Sequence, residues 1–106
     1  MTLAPRCPRC GRRHLAGLPC WKGDLPVRLL GEVLAEYGDV CHLCGREGAD
    51  CADHVIPRAH GGTDTLTNLR PAHNRPCNAR RGAMHLEAWF ALYPLTPPTY
   101  TPSRDW

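Results

Sequence analysis

Apolar residues recur at helical spacing in two stretches of the 106-residue chain. From about Pro26 to Tyr37, the residues Val27, Leu30, Leu34 and Tyr37 fall on one stripe, which Leu29 and Val33 broaden. Pro26 suits a first helical turn and Gly38 an exit, so the pattern predicts a helix with its apolar face in the core. A second helix is predicted from His85 to Tyr93, with Leu86, Trp89, Phe90 and Leu92 as packing residues. Between the two helices the apolar runs are short. Val55 and Ile56 predict a strand over Asp53–Pro57, which Pro57 ends. Asp39–Gly45 reads as a tight turn, Gly61-Gly62 as a loop, and Asn78–Gly82 as a short helical turn. Asn68–Pro71 leads from that loop into a second group of metal-ligand residue types. Three parts follow: a Cys-, Arg- and Pro-rich head over residues 1–23, a central domain over 24–93, and a tail over 94–106. The tail holds Pro94, Pro97, Pro98 and Pro102 and is expected to be extended or disordered.

Composition narrows this picture. The length fits one domain with a modest core, of the size that metals or disulfides often supplement. Seven cysteines are an odd number, and two Cys-x2-Cys pairs stand out, Cys7/Cys10 and Cys41/Cys44. There is no apolar run long enough for a signal peptide or a membrane span, which predicts a cytoplasmic setting with reduced, metal-binding thiols. The net charge is +3 and all but one of the basic residues are Arg, a side chain suited to bidentate phosphate contacts. Arg6, Arg9, Arg12, Arg13 and Lys22 crowd the head without an acid, and Arg70–Arg81 is a second such stretch. Both read as phosphate-facing patches.

Cys41 and Cys44 open a tetrahedral site that His73 and Cys77 are placed to close, because structural zinc prefers four thiolate or imidazole ligands. The two pairs enclose 28 residues, so the ion would clamp the segment between them and its binding energy would act as folding energy there. Cys51 is an alternative ligand, or else a small apolar residue beside the strand. The head offers a second set, Cys7, Cys10, His14 and Cys20, which is either another zinc site or part of a flexible basic arm with reactive thiols.

Inside the clamp, or one residue beyond it, lie Asp53, His54, Asn68 and Asn78. A neutral imidazole can take a proton from water near neutral pH, so His54 is the candidate base. A carboxylate and an amide oxygen can hold a hard cation such as Mg2+, so Asp53 and Asn78 are the candidate ligands. A carbonyl or Asn68 would orient His54. His42 and His60 read as exposed.

The stretch CHLCGREGADCADHVIPRAHGGTDTLTNLRPAHNRPCNARRG resembles the HNH endonucleases, of the small type common in bacteriophages and actinobacteria. The matching pattern covers residues 41–82, about two fifths of the chain. The resemblance implies a small α+β fold, the ββα-metal or His-Me finger core clamped by a structural zinc. It places His54 as general base, Asp53 and Asn78 as the catalytic metal pair, Asn68 as a constraint on the loop or the base, and Cys41, Cys44, His73 and Cys77 on zinc. It departs from many relatives in the His73-x3-Cys77 spacing and in carrying Asn78 where the family name has its last His. It further implies a hydrolase acting on double-stranded DNA, with a phage packaging role beside a terminase among the settings.

Arg58, Arg70, Arg75, Arg80 and Arg81 are the candidate DNA contacts, and backbone contacts of this kind position DNA without specifying sequence. Trp21, Trp89 and Trp106 are not spaced as a stacking platform. No long apolar pairing face is visible, so a monomer is expected. The chief rival is a non-catalytic zinc-binding DNA-binding module. A zinc hydrolase of another substrate and a protein-binding zinc adaptor are also consistent with the clasp.

Overall fold

The computed structural model describes residues 3–95. The remainder of the expected tail, with Pro97, Pro98, Pro102 and Trp106, lies outside the described residues. The fold is a small α+β arrangement in which helices and an Arg/Cys-rich head surround a two-stranded sheet.

Helix α1 spans Asp24–Tyr37, starting two residues before the expected first turn. Pro26 therefore sits where backbone N–H groups have no intrahelical partner, and its missing donor costs nothing. Gly38 ends the helix at φ 81°, with its N–H donating to Leu34 O at 2.9 Å. The apolar face differs from the expected stripe. Leu29 and Val33 are the buried residues, with Leu25 packed beside them, whereas Val27 is 71% exposed and Tyr37 37% exposed. The i, i+4 row Leu25–Leu29–Val33 is the one that meets the sheet. Tyr37 instead turns its hydroxyl to Leu66 O, donating at 2.8 Å.

Strand β1 is Cys51–His54 and pairs antiparallel with β2, Leu69–Ala72, with Asp53 opposite Arg70 and His54 opposite Leu69. This corrects the strand expected over Asp53–Pro57. Val55 still donates to Asn68 O at 2.8 Å, but the backbone of Ile56 is taken over by the Asn68 amide. Ile56 N–H donates to Asn68 Oδ1 at 2.9 Å and Asn68 Nδ2 donates back to Ile56 O at 3.1 Å, so no partner strand is needed there. Pro71 sits inside β2 without breaking it. Its carbonyl accepts from His42 N–H, away from β1, and the missing proline N–H faces the same way.

Two apolar clusters lie against the strands. Ala52 and Leu69 pack on Leu29 and Val33 of α1. Cys51 and Ala72 belong to the other cluster, with Cys41, Leu43, Cys77 and Trp89. Alternation along β1 thus sends Ala52 and His54 one way and Cys51 and Asp53 the other.

A helical turn over Asn74–Asn78 runs into the short α2, Ala79–Arg81. Helix α3, Leu86–Leu92, supplies Trp89, which is buried and donates from Nε1 to Leu43 O at 3.1 Å. Leu92, expected in the core, is 63% exposed. One turn beyond Trp89 it is Tyr93 that returns to the indole, with ring centroids 4.4 Å apart.

The head is packed rather than free. An isolated bridge pairs Arg6 with Arg13, and Ala4 N–H donates to Ala59 O at 2.8 Å, fixing the head to the turn Arg58–His60.

Candidate active site and metal centres

The clasp residues Cys41, Cys44, His73 and Cys77 come together with their ligand atoms all within 4.8 Å of one another. His73 Nδ1 lies 3.3 Å from Cys44 Sγ and 3.8 Å from Cys77 Sγ. Its other nitrogen, Nε2, is 2.9 Å from Glu47 O, the arrangement that fixes a ligating imidazole's tautomer and orientation. The Leu43 and His73 N–H groups both donate to Cys41 Sγ at 3.4 Å. Burial and the surrounding thiols push the Cys77 thiol up to about 12. A bound divalent cation offsets that cost, since the thiolate is the ligand. The donor set of three sulfurs and one imidazole fits zinc. The turn Asn74–Asn78 takes up the longer His73-x3-Cys77 spacing. Cys51 is not in the cluster: it sits in β1, its thiol pushed up to about 12 by burial and by Asp53 and Asp50, and Asn78 Nδ2 points at its sulfur from 3.5 Å.

Asp53, His54 and Asn78 line a single cavity of about 310 Å³, together with Arg12, Arg13 and Trp21 of the head. His54 is buried at the end of β1, with the Trp21 ring set edge-on against it at 4.7 Å between centroids. Its Nε2 meets Asp64 Oδ1 at 2.8 Å. Burial lowers the His54 pKa from its ordinary value, against the upward pull of the Asp64 hydrogen bond and charge. Asp53 is buried and uses Oδ2 twice: Arg81 NH1 donates to it at 2.6 Å, and His42 Nε2 lies 2.7 Å away. Among the described residues its side-chain hydrogen bonds all fall on Oδ2. The Asn78 amide points through Nδ2 at Cys51, and its carbonyl oxygen has no hydrogen-bond partner among the described residues. Asp53 and Asn78, a carboxylate and an amide lining the same cavity, are the residue types that suit a hard divalent cation.

A family model described as HNH endonuclease matches residues 41–83. Residues 41–83 are an HNH domain. No curated protein and no solved structure matches the chain. The matched span begins at the first clasp cysteine and ends just past α2, so the head, α1 and α3 stand outside it.

Within the HNH domain the structure redistributes several side chains. Arg81, a candidate DNA contact, points into the protein. It is 2% exposed, and its guanidinium donates to Asp53, to His54 O and Val55 O at 2.7 Å each, and through Nε to Met84 O at 2.7 Å. Every edge of the fork is occupied inside the protein. Arg58 is half-buried and held by Asp64, with Nε donating to Oδ1 at 3.0 Å, and by Pro19 O. Arg70 donates to Leu69 O at 2.7 Å and to the Tyr37 hydroxyl at 3.0 Å, with its guanidinium over that ring. Arg75 and Arg80 are exposed, with the Arg80 guanidinium 5.8 Å from the centre of the Tyr93 ring. His42, expected to be exposed, is half-buried against Asp53.

Asn68 constrains the loop, not the base. It ties Ile56 to Thr63 O, to which its Nδ2 donates at 2.9 Å. Gly62 makes this closure possible, because a Cβ there would lie 1.7 Å from Ile56 O. The partner of His54 is Asp64, a residue the sequence reading missed. The available signal was its position, between the Gly61-Gly62 turn and Asn68, in a loop that must fold back on the end of β1.

Proposed function

We propose that the protein is a divalent-metal-dependent endonuclease that hydrolyses phosphodiester bonds in double-stranded DNA, by nicking or double-strand cleavage. The observation that carries the reading is the His54–Asp64 pair at 2.8 Å, with His54 on a cavity it shares with Asp53 and Asn78. With Nε2–H donated to Asp64, Nδ1 of the neutral ring keeps its lone pair for a proton of the attacking water. Burial holds His54 in that neutral form near pH 7. Asp53 and Asn78 are the residues that would hold Mg2+ or a similar cation, which when bound stabilises charge on the phosphate and the leaving oxygen. Arg81 and His42 fix the Asp53 carboxylate from behind. Arg75 and Arg80 seat the DNA backbone. Zinc on Cys41, Cys44, His73 and Cys77 holds the two ends of this segment together and takes no part in hydrolysis, because four protein ligands leave no position for water.

A second reading, a zinc-binding DNA-binding module without catalysis, is favoured by one observation. Arg81 already neutralises Asp53, which leaves that carboxylate weaker toward a metal. Plasmid cleavage decides between the two. Zinc-loaded protein is incubated with supercoiled plasmid in no added metal, Mg2+, Mn2+ or Ni2+, beside His54→Ala. Metal-dependent nicking, lost in His54→Ala at unchanged zinc content, is the expected result. DNA retention without cleavage in every metal would leave the binding module. The resemblance further suggests a cytoplasmic monomer working beside a phage terminase in DNA packaging. Among the described residues, no helix is long and apolar enough to cross a membrane.

A further inference from the structure

The head contains a second metal-ligand cluster outside the HNH match. The ligand atoms of Cys7, Cys10, His14 and Cys20 all lie within 4.8 Å of one another. Their local backbone repeats that of the clasp. In the clasp, Cys41 N–H donates to Arg46 O at 2.8 Å, Gly45 N–H to Cys41 O at 2.8 Å, and Leu43 N–H to Cys41 Sγ at 3.4 Å. In the head, Cys7 N–H donates to Arg12 O at 2.7 Å, Gly11 N–H to Cys7 O at 2.8 Å, and Arg9 N–H to Cys7 Sγ at 3.4 Å. Both knuckles read Cys-x2-Cys-Gly-Arg, and the two glycines take φ 73° and 81°, a conformation that side chains resist.

An independent observation points to a ligand. His14 is 5% exposed, and its Nε2 is buried with no hydrogen-bond partner among the described residues. Its Nδ1 lies 3.0 Å from Leu15 O, which leaves the lone pair on Nε2. A buried imidazole nitrogen without a partner costs stability unless something accepts that lone pair. Three sulfurs within reach form the rest of a tetrahedral donor set.

The same segment builds one wall of the catalytic cavity. Cys20 is followed by Trp21, whose ring stands against His54, and preceded by Pro19, whose carbonyl accepts from Arg58. Arg58 lies over the Trp21 ring at 5.5 Å and binds Asp64, the partner of His54. Arg12 and Arg13, next to the knuckle, line the cavity.

We propose that Cys7, Cys10, His14 and Cys20 bind a second zinc ion, and that this ion holds the head as a wall of the cavity, keeping Trp21 and Arg58 against the His54–Asp64 pair. The metal site stands without the nuclease reading, and its test does not use activity. Elemental analysis of the full chain purified with zinc should give two zinc ions per chain, and Cys10→Ser should lose one and keep the other. Titration of metal-free wild-type protein with Co2+ reads the same count without a variant, as two equivalents of tetrahedral thiolate absorption. One ion per chain in the wild type, unchanged in Cys10→Ser, would overturn the site. So would a Cys7–Cys20 disulfide found by mass spectrometry in the natively purified protein. Hydrogen exchange of residues 54–62 tests the wall: Cys10→Ser should lose protection there, and exchange equal to wild type would overturn the coupling.

Discussion

The two Cys-x2-Cys-Gly-Arg knuckles share a backbone and differ in what surrounds them. In the clasp, Cys41 and Leu43 are 0% and 1% exposed, and the closing ligands His73 and Cys77 come from beyond the sheet. In the head, Pro8 and Arg9 are exposed, and the closing ligands His14 and Cys20 follow within the next ten residues. One knuckle is the centre of a core, and the other is a local staple at the edge of a cavity. On the proposed reading, the same ligand chemistry would bear on different quantities: stability of the whole domain in the clasp, and the shape of the cavity wall in the head.

The largest expected effect separates them directly. Cys77→Ser removes a ligand of the proposed zinc clasp, where structural zinc would supply on the order of 10–16 kcal/mol of apparent binding energy. That is comparable with or larger than the whole stability of a small domain, about 5–15 kcal/mol. Cys77→Ser should lose its cooperative thermal transition by circular dichroism, and Cys10→Ser should keep one. Equal loss in both variants would mean that the head is part of the core.

A smaller effect lies on the clasp side. The Arg81–Asp53 pair is buried, and Arg81→Met strands a carboxylate that His42 alone must satisfy. Breaking such a pair costs about 3–5 kcal/mol. The neighbouring Arg80→Met, at an exposed position, should stay within about 0.5 kcal/mol. Urea denaturation of the two variants measures the difference. Similar midpoints would show that the Arg81 network contributes little.

What could be read from the sequence follows the same division. Metal ligands need particular residue types at particular spacings, so the clasp set and the Asp53, His54 and Asn78 trio stood out as letters, and apolar periodicity marked α1 and α3. The face of α1 was not, because six apolar residues make a stripe wider than the contact. Docking on Ala52 and Leu69 chose Leu29 and Val33. The strand was displaced toward Val55 and Ile56 because β-branched residues carry the propensity signal, whereas pairing was decided by Asn68 taking the backbone of Ile56. Arg81 was assigned outward because arginine is almost never fully buried unless paired, and its partners, three of them backbone carbonyls, have no sequence signature. Asp64 had no periodicity around it, and only the folded loop brings it to His54.

The last expected effect is on chemistry, and it belongs to the side that the head supports. The charges of Asp64, Arg58 and Asp53 act on His54. Burial sets its pKa below the ordinary 6.5, Asp64 and Asp53 pull it up, and Arg58 pushes it down. A general base works only when neutral, so cleavage should fall as pH drops through that lowered value and stay level near pH 7. Asp64→Asn retains an acceptor for Nε2–H but removes a negative charge that favours imidazolium. The His54 pKa then falls further, so the acid limb of the rate profile moves to lower pH, while the plateau drops because the base is weaker. A merely structural role for Asp64 would lower the plateau and leave the limb in place. Rates of plasmid nicking in saturating metal, measured across pH 5–8 for the two proteins, distinguish these outcomes, and an unmoved limb would reduce Asp64 to an anchor for Arg58.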